Sequence, residues 1–168
     1  MINKATAVLL ALLSCSLLAG FIEIPEASTS ERFTENGDGT VTDHKLGLMW
    51  AQTDNQGDID WQDAERYCRM GPPNLLGKYD NWRMPTLEEL RSLYVEDSTY
   101  SGYETTCGQN VRIVPEIQLS CGWIWCHEKK AISAQVFTFS RGYQYTDRIS
   151  STRNYRALPV RSLQDNEQ

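Results

Sequence analysis

Few residues in this chain could do chemistry. Five cysteines and two histidines stand among 168 residues. Cys121-Gly122-Trp123-Ile124-Trp125-Cys126 sets two thiols five positions apart, with His127 beside the second. Thiolates are soft ligands, and a pair of them suits Cu(I). In an extended strand, residues five apart point to opposite faces, so a shared metal would need a turn or bulge between them. Disulfides use the same cysteines without that requirement. A Ser/His/Asp triad or a multi-histidine centre would have to draw on His44 and His127 alone, and His44 falls at a hairpin edge. Asp58, Asp60 and Asp63 cluster, but helix capping and solvation account for them. No Gly-rich phosphate loop ending in Lys-Ser/Thr occurs. The reading therefore assigns no catalytic residue, no metal and no cofactor.

The other chemistry on offer is recognition. Tyr94, Tyr100 and Tyr103 precede Cys107, and Arg141, Tyr143, Tyr145 and Arg148 lie on a hairpin. Tyrosine and arginine anchor interfaces, and they also cover cores. Loops on a rigid scaffold carry function. The expected ligand surface is therefore residues 100–111 and 141–154, with Tyr100, Tyr103, Arg141, Tyr143, Tyr145 and Arg148 as its anchors. The net charge of -6 speaks against nucleic acid as a partner.

Lys4 followed by an apolar run from Ala5 to Leu13, resumed from Leu17 to Ile22, reads as an export signal. Glu23, Pro25 and Glu26 end it at about the minimum spanning length, so no transmembrane span is expected in the mature form. Residues 1–27 are read as the signal peptide, with cleavage after Ala27 or Gly20. The alternative is a lipobox, Leu12-Leu13-Ser14-Cys15, which would make Cys15 a lipidated N-terminus. Residues 28–31 form a linker, 32–163 the domain and 164–168 a polar tail. Without Cys15, four cysteines remain, and in an exported chain an even number suggests disulfides with three possible pairings. Cys107 and Cys121 flank a compact loop beside Gly108 and Gly122 and are the first choice. Cys68 with Cys126 follows by elimination.

The elements that must position these residues follow in order. Asn36-Gly37-Asp38-Gly39 supplies a turn between two strands. A calcium loop on the same residues would begin at Thr34 and end at Lys45, neither of which supplies a carboxylate. Lys45 to Trp50 is a further strand. Asp60 can cap a helix from Trp61 to about Met70, stopped by Gly71-Pro72-Pro73-Asn74. Thr86 and Glu89 form a capping box, and Pro85 holds Met84 extended so that the helix cannot begin earlier. Leu87, Leu90, Leu93 and Tyr94 then recur at helical spacing. A long loop spans 96–108. Gly122 to Trp125 reads as a short strand and 128–133 as a polar loop. Gln135 to Phe139 and Tyr143 to Ile149 form a hairpin. Tyr155 to Arg161 is the last strand, where Pro159 suggests an edge or a bulge. The pattern predicts an α+β fold, with two short helices gathered on one side of short antiparallel sheets and long disulfide-tied loops.

Several of these stretches together resemble one family. Arg32 to Asp43 followed by Gly47-Leu48-Met49-Trp50 is similar to the opening signature of the Lcl C-terminal domain family, a domain family of unknown function. Tyr79-Asp80-Asn81-Trp82-Arg83-Met84-Pro85-Thr86 with Glu89-Leu90 resembles its central signature. Trp123-Ile124-Trp125, Val136 to Gly142 and Arg156 to Arg161 look like its closing strands. The resemblance implies a C-type-lectin-like fold in an exported bacterial protein, periplasmic, extracellular or lipid-anchored. It makes Trp50, Trp82, Arg83, Pro85, Thr86 and Trp125 structural signature residues. It implies non-catalytic binding of a protein or glycan, since a surface collagen-like adhesin that binds glycosaminoglycans carries such a domain. This chain departs from that adhesin in being acidic and lacking a collagen repeat. Many relatives carry a cysteine near the closing Val-Arg, where this chain has Ser162. The Glu-Pro-Asn and Trp-Asn-Asp triplets of calcium-dependent sugar binding are missing. The alternative activity comes from formylglycine-generating enzymes, of related fold, which hold copper with cysteines at the Cys121/Cys126 spacing.

Overall fold

The computed structural model describes residues 32–164. The signal-peptide reading, Cys15, the linker and residues 165–168 lie outside the described residues. In chain order the elements are β1 (Phe33–Glu35), β2 (Thr40–Asp43), β3 (Leu48–Ala51), α1 (Trp61–Met70), a 3₁₀ turn (Pro73–Leu75), α2 (Leu87–Ser92), β4 (Tyr103–Glu104), β5 (Asn110–Val111), β6 (Trp123–Lys130), β7 (Ser133–Thr138), β8 (Tyr143–Arg148), β9 (Tyr155–Arg156) and β10 (Val160–Ser162). The first sheet runs β1-β2-β3-β10 and the second β8-β7-β6-β9, with β4 and β5 a separate pair. Mixed helix and short sheet is thus the architecture, but not every pair is antiparallel: β9 lies parallel to β6. Among the described residues no helix is long and apolar enough to cross a membrane.

Local chemistry sets the elements. In the β1–β2 turn Gly37 (φ 74°) and Gly39 (φ 91°) take the left-handed backbone that glycine adopts without strain. Asp38 Oδ1 accepts from the Thr40 N–H at 3.0 Å, and the Asn36 amide donates to Thr40 Oγ1 at 2.8 Å. Asp60 caps α1 by accepting from the Asp63 N–H at 2.8 Å. The helix ends at Gly71, which takes a positive φ of 76°, and the position must be glycine because a Cβ there would sit 2.5 Å from the Trp82 ring. The capping box of α2 is closed in both directions, Glu89 N–H to Thr86 Oγ1 at 3.2 Å and Thr86 N–H to Glu89 Oε2 at 2.8 Å.

Three cores follow from strand alternation. Ile124, Cys126, Phe137 and Phe139 face Trp50, Val41 and Val160 of the first sheet, with Leu90 and Leu93 beside them. The other face of the second sheet carries Trp125, Ala134 and Val136 against Trp61, Ala64 and Cys68 of α1. On the outer side of the first sheet Met49, Leu75 and Trp82 form a third cluster. The two helices therefore cover opposite faces of the second sheet, not one side as expected. A sheet that is apolar on both faces needs a cover on each, and a helix can pack on only one of them.

Two further expectations change. β6 continues through Lys130, where the polar residues from Glu128 suggested a loop. A register shift between Trp125 and Lys129 lets it do so. The run from Tyr155 to Arg161 is not one strand. It breaks after Arg156, crosses from the second sheet to the first, and resumes at Val160 as an edge strand. Pro159, which has no N–H to give a ladder, lies in the crossing, and its carbonyl accepts from the Ala51 N–H at 2.9 Å.

A buried polar network braces that crossing. Asp54 accepts from the Ser120 N–H at 2.7 Å and from its hydroxyl at 2.8 Å. Arg156 Nε donates to the same hydroxyl at 2.7 Å, and Arg156 Nη1 reaches Asp58 at 2.7 Å. Burial pushes the Asp54 carboxyl upward, against the bonds from Ser120.

Cys107 and Cys121 are joined by a disulfide, with Cα atoms 5.4 Å apart. Cys68 and Cys126 are not paired; both are free and buried. The elimination argument fails because Cys126 points into the first core and Cys68 into the second, on opposite faces of the sheet. The Cys107–Cys121 bridge closes a sequence separation of 14, which in the chain-entropy account stabilises by about 3 kcal/mol. Replacing both with Ser should lower the unfolding free energy by about that amount in denaturant titration. In the unreduced native protein, Cys68 and Cys126 should resist alkylation until the chain unfolds.

Candidate functional site

Alternation along β6, β7 and β8 builds one aromatic face. Trp123 stands opposite Thr138, and Thr138 opposite Tyr143. In the next row Trp125 faces Val136, and Val136 faces Tyr145; Ala134 faces Asp147 in the row after. The parallel pairing of β9 adds Tyr155 beside Trp123. α1 covers the Trp125 end of this face, where the Trp61 indole donates to the Cys126 carbonyl at 2.8 Å and the Trp125 indole to that of Ile59 at 3.0 Å. The Trp123–Tyr143 end opens into a cleft of about 740 Å³. Trp123, Tyr143, Tyr145 and Tyr155 line it with Asp147, and the loop 150–153, ending in Arg153, forms its other rim.

The rings are turned against one another. Trp123 and Tyr145 are 6.4 Å apart at 82°, Tyr143 and Tyr145 6.3 Å apart at 53°, and Trp123 and Tyr155 5.7 Å apart at 40°. Beneath them Tyr155 stacks on Trp125 at 4.4 Å. Tyr143 is the most open, with 46% of its surface exposed.

A hydroxyl relay fixes the one carboxylate. The Tyr145 hydroxyl donates to that of Tyr155 at 3.2 Å, and the Tyr155 hydroxyl donates to Asp147 Oδ2 at 2.5 Å. Asp147 Oδ1 also accepts from the Arg148 N–H at 2.7 Å. Partial burial opposes the charge on Asp147, but the bonds from Tyr155, the Arg148 N–H and Ser151 outweigh it and hold its carboxyl below the usual range. Burial first, and then donation to Asp147, push the Tyr155 phenol far upward. The pair is therefore a neutral phenol and a carboxylate throughout the neutral range.

The anchors expected from the sequence fall in three places. Tyr143 and Tyr145 line the cleft. Arg141 lies in an adjoining depression of about 510 Å³ that shares Trp123 and Tyr143 with it. Arg148 follows Asp147 in the strand and so projects from the opposite face. Tyr100 and Tyr103 belong to a separate depression with Glu104 and Pro115. Their hydroxyls are committed to the scaffold, Tyr100 to the Ile113 carbonyl at 3.0 Å and Tyr103 to the Leu119 N–H at 2.6 Å. Asp147 and Arg153 lie within the expected stretch 141–154 but were not among its anchors, whereas Trp123 and Tyr155 lie outside it, and only the aromatic density of residues 123–125 hinted at Trp123.

The other candidates have structural partners. Cys121 is spent in its disulfide, and Cys126 is buried with its thiol pushed upward by burial, so the two do not form a dithiol site. His44 Nε2 is 2.9 Å from Thr34 Oγ1, in the first sheet, whereas His127 lies on β6. Asp58 pairs with Arg156, Asp60 caps α1 and Asp63 pairs with Arg66 at 2.8 Å. Among the described residues no three His, Cys, Asp or Glu side chains group to hold a metal. Of the signature residues, Trp50, Trp82 and Trp125 are buried in the three cores, while Arg83, Pro85 and Thr86 precede α2.

Residues 39–161 match the model of the Lcl C-terminal domain. No curated protein and no solved structure matches the chain.

The Asp147 environment has a testable sign. A carboxyl held below its unfolded value contributes stability that is present above the unfolded value and is lost as pH falls through the folded one. Tyr155→Phe removes the largest bond that holds it down. In this variant the Asp147 titration, followed by carboxyl NMR, should move up toward the ordinary range, and the part of the acid-side stability loss that Asp147 contributes should become smaller and be complete at a higher pH.

Proposed function

The chain belongs to the Lcl C-terminal domain family, and from that premise we propose that it is an exported, non-catalytic recognition module of C-type-lectin-like build. It binds a protein or glycan at the cell envelope or outside the cell, through the cleft between β8, β6 and the 150–153 loop. The observation that carries this reading is the cleft itself. Trp123, Tyr143 and Tyr145 meet there with an ionised Asp147 on a rigid sheet. Aromatic side chains of this kind supply much contact area at low ordering cost. The Cys107–Cys121 bridge supports an oxidising compartment, since such bonds persist outside the cytosol. The acidic balance of the chain disfavours the polyanions bound by the collagen-like relative, so the ligand here is expected to be of another kind.

A glycan and protein array, followed by titration of any hit using tryptophan fluorescence, tests the reading. Trp123→Ala and Tyr143→Ala should each weaken the hit at least about tenfold, as loss of an aromatic anchor does, with Tyr100→Phe as an unaffected control. Equal affinity across the three variants would place recognition elsewhere on the surface.

A further inference from the structure

We propose that the cleft takes a ligand carrying an alkylated ammonium group, held among Trp123, Tyr145 and Tyr143 and facing Asp147. The inference rests on the cleft being the recognition surface. Three features favour this class. First, the rings are arranged as walls. Across the sheet Trp123 and Tyr143 stand two strands apart with the small Thr138 between them, about 10 Å at the usual strand spacing. Tyr145 stands one row along, 6.4 Å from the Trp123 ring and 6.3 Å from that of Tyr143. A platform for a sugar ring needs one flat exposed face. Tyr145 instead packs edge to face on Trp123 and tilted on Tyr143, so the three rings form a stepped surface with Tyr145 as the floor between the other two, which suits a rounded group better than a flat one.

Second, the ring faces are negative and attract cations, and groups of such rings are the recurring recognition device for quaternary ammonium. Third, the same cleft contains a carboxylate. Asp147 keeps its charge through the neutral range because Tyr155, Ser151 and a backbone N–H donate to it. Those donors also fix its position. A compact ammonium with hydrogens to donate would find water a good competitor. A methylated one is poorly hydrated and loses little by entering an aromatic site.

Arg153 lines the cleft as well. Its field also reaches Asp58, whose carboxyl is held down chiefly by its bond from Arg156. A ligand with a phosphate beside its ammonium can place the cation among the rings and the anion toward Arg153. Phosphocholine has that layout, so it should bind more tightly than choline.

The test titrates the full chain with choline chloride against its neutral isostere 3,3-dimethylbutan-1-ol, at matched ionic strength, with indole NMR signals as the readout. Choline should bind at least about tenfold more tightly than the isostere, within the range of cation–aromatic contributions. Asp147→Asn and Tyr143→Leu should each remove most of that preference, and Tyr100→Phe, in the separate depression, should keep it. Asp147→Asn retains an acceptor for Tyr155, and Tyr143 lies outside the buried cores with 46% of its surface exposed, so both variants are expected to fold. Phosphocholine should exceed choline, and Arg153→Gln should erase the excess. Pelleting with phosphatidylcholine vesicles would support a lipid headgroup as the source. Binding of free phosphocholine without pelleting would support a soluble or polymer-borne one. Equal binding of choline and its isostere, or a preference that survives Asp147→Asn, overturns the inference. If choline fails while an array ligand still depends on Trp123, the ammonium inference falls and the recognition reading stands. If no ligand depends on Trp123, both fall.

Discussion

The structure depends on a stitch made by the five residues from Arg83 to Leu87. On one side Arg83 exchanges two backbone hydrogen bonds with Val160 of β10, at 2.8 and 3.0 Å. On the other, the Pro85 carbonyl accepts from the His127 N–H of β6 at 2.8 Å. The Leu87 N–H donates to the Glu128 carboxylate at 3.1 Å, so a β6 side chain caps the start of α2. Between these points Glu89 ties the segment to itself. It accepts from the Thr86 N–H and from both Arg83 amino groups, at 2.8 and 2.6 Å. Burial alone would raise the Glu89 carboxyl, but the Arg83 and Thr86 bonds hold it down instead. A fixed short segment thereby joins two sheets that share no strand pairing.

This constraint explains the form of β6. A regular strand would not present both a backbone N–H at His127 and a carboxylate at Glu128 to the same segment. The irregularity between Trp125 and Lys129 does so, while Cys126 stays in the core below. N-terminal to the irregularity the strand is regular, and there the aromatic face lies open between Trp123 and Tyr143. The same face is closed at its other end by α1. At its edge the Asp54–Ser120–Arg156 network anchors β9, and with it Tyr155. The cleft is therefore held from two sides by interactions among residues outside its lining, which is the condition for a preorganised surface.

Local chemistry was legible in the sequence where it is self-contained. The Asn36–Gly39 turn, the Asp60 cap and the Thr86/Glu89 box each involve residues within a few positions, and each forms as read. What was not legible depends on distant partners. The polar run after Cys126 looks like a loop until the stitch gives its backbone and Glu128 something to hold. Tyr155 to Arg161 alternates as one strand, yet two sheets compete for it, and the choice is made at Pro159. The placement of Cys68 and Cys126 on opposite faces needs the β6 register, which counting cysteines does not contain. In the cleft, the alternation of Tyr143 and Tyr145 was visible. Tyr155 was not, because a parallel pairing brings it beside Trp123 from far along the chain.

Native-state hydrogen exchange at the stitch tests this account most directly. If one segment locks the sheets together, the amides of Arg83, Leu87, His127 and Val160 should exchange only through global unfolding, with the same opening free energy as the central residues of β7. Faster exchange at these four amides, with β7 still protected, would mean that the sheets part without unfolding. The stitch would then not be the constraint on which the fold and its cleft depend.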